Sequence, residues 1–131
     1  MEEIRIRTSR RQVLHDITSD VIEVVKKSGV ARGMCFIYVP HTTAGVTINE
    51  NYDPSVKADM LQHLGRIVPA DGHYAHLEGN SDAHIKSSLL GHCASVIVEE
   101  GRPVLGTWQG IFFAEFDGPR SRRFLVQIIE A

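Results

Sequence analysis

ASVIVEEGRPVLGTWQGIFFAEFDGPRSRRFLVQII, residues 94–129, decides the fold class of this chain. Apolar and β-branched runs alternate with turn sequences, Glu99-Glu100-Gly101-Arg102 and Asp117-Gly118-Pro119-Arg120. We predict strands at 94–98, 105–107, 109–116 and 124–129. Because short turns join these strands, antiparallel pairing is favoured over parallel pairing, and the predicted class is α+β.

The residues before this segment mix strands with helices. Glu3–Thr8 alternates apolar with charged residues, as a strand with one solvated face does. Residues 33–39 form a short apolar and aromatic run that ends at Pro40, which indicates a buried strand. Residues 46–49 alternate again and predict a third strand.

Three segments carry the start and stop residues of helices. The first is predicted to begin at Asp16 or Thr18 and to end at Gly29. The second begins at Asp53-Pro54 and ends at Gly65, and the third begins at Asn80 or Ser81 and ends at Gly91. Their predicted core-facing residues are Ile17, Val21, Val24 and Val25 in the first, Val56, Met60, Leu61 and Leu64 in the second, and Ile85, Leu89 and Leu90 in the third.

Size and charge exclude several classes of protein. A chain of 131 residues, 43% of them hydrophobic, is enough for one core, and we predict a single domain over residues 1–131. Fourteen basic and sixteen acidic residues form no block of like charge, which argues against a nucleic-acid partner. The acidic N-terminus and the lack of an apolar stretch of about 18 residues predict a cytoplasmic protein without a membrane partner. Cys35 and Cys93 show no metal-binding or disulfide spacing.

Three of the seven histidines, His41, His76 and His84, are the candidates for chemistry. Imidazoles that converge from separate elements can hold a metal ion and leave one coordination position open. His84 lies in the first turn of the third predicted helix, with Asp82 and Glu78 nearby as acceptors for its second nitrogen; alternatively, it faces solvent there. His73 lies three residues before His76, and the residues alone do not choose between them.

Other polar side chains stand near the ends of predicted strands. Asn49 lies at the end of one strand, and the 115–120 segment ends another strand and turns. Arg120, Arg122 and Arg123 suit an anionic substrate, although arginines around a turn also occur as a solvated edge that discourages strand pairing. The polar residues around Asn80 mark a helix N-terminus, where anions bind, and Lys86 lies about one turn further on.

Four motifs together resemble a known family, the YjbQ-like proteins, whose members are also labelled secondary thiamine-phosphate synthases. The resemblance covers essentially the whole chain in the same order. The motifs are His41-Thr42-Thr43-Ala44 with Ile48-Asn49-Glu50-Asn51, His76-x-Glu78-Gly79-Asn80-x-Asp82-Ala83-His84-Ile85-Lys86, Gly106-Thr107-Trp108-Gln109-x-Ile111, and Glu115-Phe116-Asp117-Gly118-Pro119-Arg120.

This resemblance implies an antiparallel β-sandwich with about three helices that assembles as a homotrimer. It also implies a metal pocket with His41, His76 and His84 as ligands, in preference to His73. Some members are expected to join a pyrimidine diphosphate to a thiazole phosphate with release of pyrophosphate. His92 departs from the expected pattern, in which a small residue is common, and adds a further histidine near the site.

The ligand set favours one class of metal chemistry. Three imidazoles suit Zn²⁺, whereas enzymes that release pyrophosphate usually hold Mg²⁺ through oxygen ligands. A zinc centre can activate water or polarise a carbonyl or phosphoryl oxygen, as in a hydrolase or lyase.

We therefore expect a metal-dependent enzyme acting on a small phosphorylated metabolite, with at least side activity as a thiamine-phosphate synthase. Glu78 and Glu115 are the candidate bases. The alternative is a non-catalytic trimeric module that binds a phosphorylated metabolite or a metal. The substrate-binding candidates are Thr42, Asn49, Asn80, Lys86 and Arg120.

Overall fold

The computed structural model describes residues 1–131 as eight strands and three helices. None of the helices is long and apolar enough to cross a membrane. In chain order the elements are Glu2–Arg7 (β1), Val13–Asp16 (β2), Thr18–Ser28 (α1), Gly33–Tyr38 (β3), Ala44–Glu50 (β4), Pro54–Ile67 (α2), Ser81–Leu90 (α3), Cys93–Glu99 (β5), Arg102–Pro103 (β6), Gln109–Glu115 (β7) and Ser121–Glu130 (β8).

The strands form two sheets in which all neighbours are antiparallel. One sheet has five strands in the order β1-β8-β3-β5-β6, and the other has three in the order β2-β7-β4. The long strand β8 pairs with β1 on one side and β3 on the other, and β7 is central in the smaller sheet. The predicted α+β class with antiparallel sheets is confirmed.

The two sheets pack face to face, and helices cover the outer face of the smaller one. Successive residues of β7 point to opposite faces. Ile111 and Phe113 join the core between the sheets, while Phe112 and Ala114 belong to a second cluster. This second cluster includes Ala83 of α3 and packs against α2. Because β7 lies between two apolar layers, its residues from Gly110 to Glu115 are all buried.

The first two helices lie close to their predicted positions. Gly29 ends α1 in the left-handed conformation with φ 69°, as expected for a C-terminal glycine. Asp53 caps α2 by accepting a hydrogen bond from the Ser55 amide. The prediction that α2 ends at Gly65 is wrong. The helix continues to Ile67, because the Val68 amide still reaches the Leu64 carbonyl.

Of the three predicted core-facing residues of α3, Leu90 packs against the second cluster, but Ile85 and Leu89 do not face the core. Ile85 and Leu89 are 40% and 59% exposed, and the buried face carries Asp82 and Lys86. The Lys86 ammonium donates to Asp82 Oδ2 at 3.1 Å, and Arg11 donates to both Asp82 oxygens at 2.9 and 3.2 Å. Buried charges are tolerated when they are paired in this way. A hydrophobicity pattern therefore misplaces Ile85 and Leu89, because the charged pair Asp82 and Lys86 takes the buried positions of this helix.

Two short strands were predicted incorrectly. β2 was not predicted, because only two of its four residues are apolar; its pairing along β7, with Leu14 opposite Ala114, defines it. The strand predicted at 105–107 is absent. The strand that follows β5 is the two-residue β6, which pairs Pro103 with Val98.

Removing the charge of the buried Asp82 carboxylate tests whether the charged residues of α3 contribute to stability as this packing implies. Replacing Asp82 by Asn removes the countercharge of Lys86 and should lower the free energy of unfolding by about 3 kcal/mol, since a buried charge without its partner is strongly destabilising. Ser88→Ala, on the exposed side of the same helix, should change it by less than about 0.5 kcal/mol. Urea denaturation measures both. Equal stability of Asp82→Asn and the parent would contradict this packing.

Candidate active site

A polar cavity of about 500 Å³ lies where β3 ends and where β4 and α3 begin. The turn between β7 and β8 closes it on another side. All three candidate metal ligands, His41, His76 and His84, line this cavity, although they come from distant parts of the chain. Glu78, Thr42, Asn80 and Arg120 line it as well. Seven of the ten predicted site residues thus lie at one location.

His76 and His84 stand close enough to share an ion. Their ring centroids are 5.6 Å apart with planes at 89°. Two imidazoles that each bind one zinc ion at about 2.1 Å hold their ring centres roughly 5 to 6 Å apart. His84 is fixed by the first turn of α3, whereas His76 lies in the preceding loop, with its Nε2 3.8 Å from Glu78 Oε2.

His41 faces the same cavity but its Nε2 accepts a hydrogen bond from the Arg123 amide at 3.1 Å. The imidazole thus accepts the hydrogen bond of a β8 amide just past the end of β3. Pro40 lies at this point of the chain and has no N–H of its own to donate. In the neutral ring the proton then lies on Nδ1. Burial, followed by the charge of Arg122, lowers the pKa of His41 and favours this neutral form.

The three rings fit a metal ion only in part. The structure contains no group of three His, Cys, Asp or Glu side chains already arranged to hold one ion. His76 and His84 meet the spacing requirement. His41 would have to exchange its hydrogen bond with Arg123 for the metal.

Asn80 carries a buried acceptor without a partner. The side chain is 8% exposed, and its Nδ2 donates to Asp117 Oδ2 at 2.9 Å, which fixes the orientation of the amide. Arg120 donates to the same Asp117 oxygen at 2.9 Å. The Asn80 Oδ1 atom accepts no hydrogen bond in the protein. A buried unpaired acceptor costs about 1 to 3 kcal/mol, so this oxygen is suited to accept a donor from a ligand.

The environment of Glu115 argues against its predicted role as a general base. It is fully buried and outside the cavity lining. Arg122 donates to both of its oxygens, and Thr8 Oγ1 donates at 2.7 Å. Burial alone would raise the pKa of Glu115, but the hydrogen bonds from Arg122, Thr8 and the Asp117 amide outweigh it and hold the pKa below its ordinary value. A weakly basic, fully bonded carboxylate is a structural anchor.

Two predicted substrate contacts also lie elsewhere. Lys86 is buried against Asp82 and has no access to the cavity, which overturns its predicted contact with substrate. Asn49 is near the far end of β4, five residues beyond the cavity end of the strand, or about 17 Å at the usual rise per residue. Its Oδ1 accepts from the Glu50 amide. Thr42, Asn80 and Arg120 remain at the cavity.

The sequence suggested no specific role for Asp117 and an anion-binding role for Arg122, whereas Arg122 is buried and paired with Glu115. Arg122 shares the inward face of β8 with Phe124 and Val126, since side chains two residues apart point the same way. An arginine at a core position of a strand requires a buried acid, and this alternation could have revealed it. His73 does not line the cavity, and His92 lines a smaller one of about 270 Å³ beside His41 and His84.

The fold and its cavity define a small α+β sandwich protein with a histidine-rich polar pocket. Residues 2–131 match the family model described as UPF0047 protein YjbQ-like. The chain therefore belongs to the YjbQ-like UPF0047 family, which confirms the resemblance stated on its motifs.

Relatives in archaea and bacteria match over nearly their full length. The UPF0047 protein MJ1081 of Methanocaldococcus jannaschii is 58% identical, over 95% of this chain and 91% of that protein. The UPF0047 protein YugU of Bacillus subtilis is 47% identical, over 98% of both.

A crystal structure of an uncharacterized conserved protein of the family from Clostridium acetobutylicum has a TM-score of 0.97 and 51% identity, with 98% of this chain and 100% of that chain covered. A YbjQ-like protein of unknown function from Sulfolobus solfataricus gives a TM-score of 0.95 at 35% identity, with 99% and 96% covered.

The anchoring role of Glu115 predicts a pH-dependent loss of stability. Glu115→Gln should lower the free energy of unfolding by about 3 kcal/mol near neutral pH, because it leaves Arg122 buried and unpaired. Since the folded-state pKa of Glu115 is depressed, the carboxylate stabilises the protein above its ordinary pKa, and this contribution is lost as the pH falls through the folded value. The difference between parent and variant should therefore shrink in acid.

Denaturant titration at neutral and acidic pH measures this difference. Glu78→Gln is the control, since the Glu78 side chain is 73% exposed and should leave stability unchanged. A constant difference at both pH values would contradict the anchoring role.

Proposed function

We propose that this protein is a metal-dependent enzyme that acts on a small phosphorylated metabolite in the polar cavity. The observation that carries the proposal is the convergence of His41, His76 and His84 on one cavity from three separate segments. Zinc is the proposed metal, because imidazole nitrogens suit this ion. When bound, the ion would supply Lewis acidity and activate water or a substrate oxygen.

Glu78 is the proposed general base. It lines the cavity, it is largely exposed, and its nearest charged or imidazole partner is His76 at 3.8 Å. Its carboxylate is thus free to take a proton from a bound group, unlike that of Glu115. Pure binding requires no free carboxylate beside the histidines, which favours an enzyme over the non-catalytic binding module.

Arg120 and Asn80 are proposed to recognise the substrate. Arg120 reaches Asp117 through Nε and Nη2 and keeps its remaining N–H groups for an anion. The unpartnered Asn80 oxygen favours a substrate that offers a hydroxyl or amine donor next to that anion. Thr42 adds an exposed hydroxyl at the rim. A phosphorylated metabolite with free hydroxyl or amino groups satisfies both requirements.

We propose thiamine-phosphate synthase activity as a side reaction. Pyrimidine and thiazole rings bind best against apolar or aromatic side chains. Apart from Pro40, the lining of the cavity consists of histidine and other polar or charged side chains. A single chain therefore offers little surface to hold two heterocycles in register, and a more polar substrate fits better.

We further propose that the protein acts as a homotrimer. Leu77 is 98% exposed just before the cavity residue Glu78, and Ile85 and Leu89 extend an apolar surface along α3. Exposed apolar side chains grouped on one side of a small protein favour a protein interface. Their position beside the cavity is compatible with a site completed by a neighbouring subunit.

Zinc content and activity of matched variants test the proposal together. After incubation with zinc and dialysis, the parent should retain about one ion per chain. His84→Ala should lose the ion. Glu78→Gln should retain the ion but fail to rescue growth of a host that lacks thiamine-phosphate synthase, because it removes the base and no metal ligand.

His73→Ala is the matched control, since His73 lies three residues from His76 and outside the cavity. It should keep both the ion and the rescue. Equal zinc retention by His84→Ala and the parent would overturn the metal site. Equal rescue by the parent and Glu78→Gln would overturn the assignment of the base.

A further inference from the structure

A groove of about 690 Å³ is lined by four arginines, and we call it the arginine groove. Arg5, Arg7, Arg122 and Arg123 line it with His41, Ile6, Glu3 and Ser121. We propose that the arginine groove binds a phosphate or diphosphate group of the substrate. This inference rests on the proposed function and extends it, because it places the anionic end of the substrate outside the histidine cavity.

The arrangement of the arginines is costly unless an anion is bound. Arg5 of β1 lies directly opposite Arg123 of β8 in the antiparallel register. Like charges at opposed positions of neighbouring strands destabilise a sheet. Arg7 lies on the same face two residues further along β1, where it is opposite Ser121 and donates to its hydroxyl at 3.2 Å. A bound phosphate would relieve the repulsion and receive several charge-assisted hydrogen bonds.

Edge protection does not explain this cluster. Charged residues on an edge strand discourage pairing with other chains, and β1 is an edge strand. Arg123, however, belongs to β8, which has partners on both sides. The one carboxylate at the groove, Glu3, lies 3.3 Å from Arg123 and 3.8 Å from Arg5. It pairs with two of the three exposed guanidinium groups, which leaves the groove with excess positive charge.

The arginine groove adjoins the histidine cavity. His41 and Arg122 line both. Arg123 donates its backbone amide to His41 Nε2 and directs its side chain to the groove, so one residue links the two sites. A substrate with its reacting end at His76 and His84 could thus extend a phosphorylated tail past His41 to Arg5 and Arg7.

A small anion suits the groove better than a nucleic acid. Binding along a nucleic-acid backbone requires a basic surface that follows many phosphates. The chain has a net charge of -2, and its sequence contains no long block of basic residues that could follow a nucleic-acid backbone. The proposed ligand class is therefore a phosphate monoester or a diphosphate ester.

The test is to measure pyrophosphate binding by calorimetry at low salt. The protein is first treated with a chelator, so that pyrophosphate cannot bind through a metal ion. The parent should bind pyrophosphate at millimolar or lower concentration. Arg5→Gln/Arg7→Gln should weaken binding about tenfold or more, as expected for loss of charged hydrogen bonds. Glu3→Gln should strengthen it, because the competing carboxylate is removed.

The control is Arg66→Gln/Arg102→Gln, which changes the net charge equally outside the groove and should bind as the parent does. Three outcomes would overturn the inference: no pyrophosphate binding by the parent, equal weakening in the control, or tighter binding of a short single-stranded oligonucleotide than of pyrophosphate. A parent that retains zinc but does not bind pyrophosphate would refute the groove alone. A parent that binds pyrophosphate but no zinc would refute the metal site alone.

Discussion

The buried ion pair between Glu115 and Arg122 is the constraint on which the site depends. It joins the last residue of β7 to the second residue of β8 and thereby ties the two sheets together at one end of the sandwich. Arg122 also donates to Thr43, next to the cavity residue Thr42. Glu115 accepts from the Asp117 amide and so orders the turn that carries Asp117 and Arg120. Because neither charge is solvated, each requires the other, and the segments around the cavity are held in a fixed relation.

A second buried charge network orients α3 in the same way. Arg11 and Lys86 share the carboxylate of Asp82, so the charged residues of this helix are turned inward. His84 is thereby placed at the cavity, and Leu89 is left in solvent. In both networks polar contacts, rather than apolar burial, determine where the functional side chains lie. The apolar core supplies the layers on which these networks are built.

The sequence predicted most of the fold and part of the site. Strong local patterns, such as the buried run at 33–39 and the Asp53-Pro54 helix start, gave elements close to those observed. The burial of α3 was predicted incorrectly at Ile85 and Leu89, because Asp82 is held inside by Arg11, which is 71 residues away and invisible to a local pattern. Glu115 was taken for a base for the same reason, since its partners Thr8 and Arg122 are defined only by the tertiary fold. The motifs, in contrast, located the three histidines that line one cavity.

The most direct test of the metal centre is X-ray absorption at the zinc edge of the zinc-loaded protein. The account predicts a coordination shell with three imidazole nitrogens at about 2.0 to 2.1 Å and one further light atom. Sulfur scatterers at about 2.3 Å, which would indicate ligation by cysteine, would contradict it, as would a shell of oxygen atoms without the multiple scattering of imidazole rings.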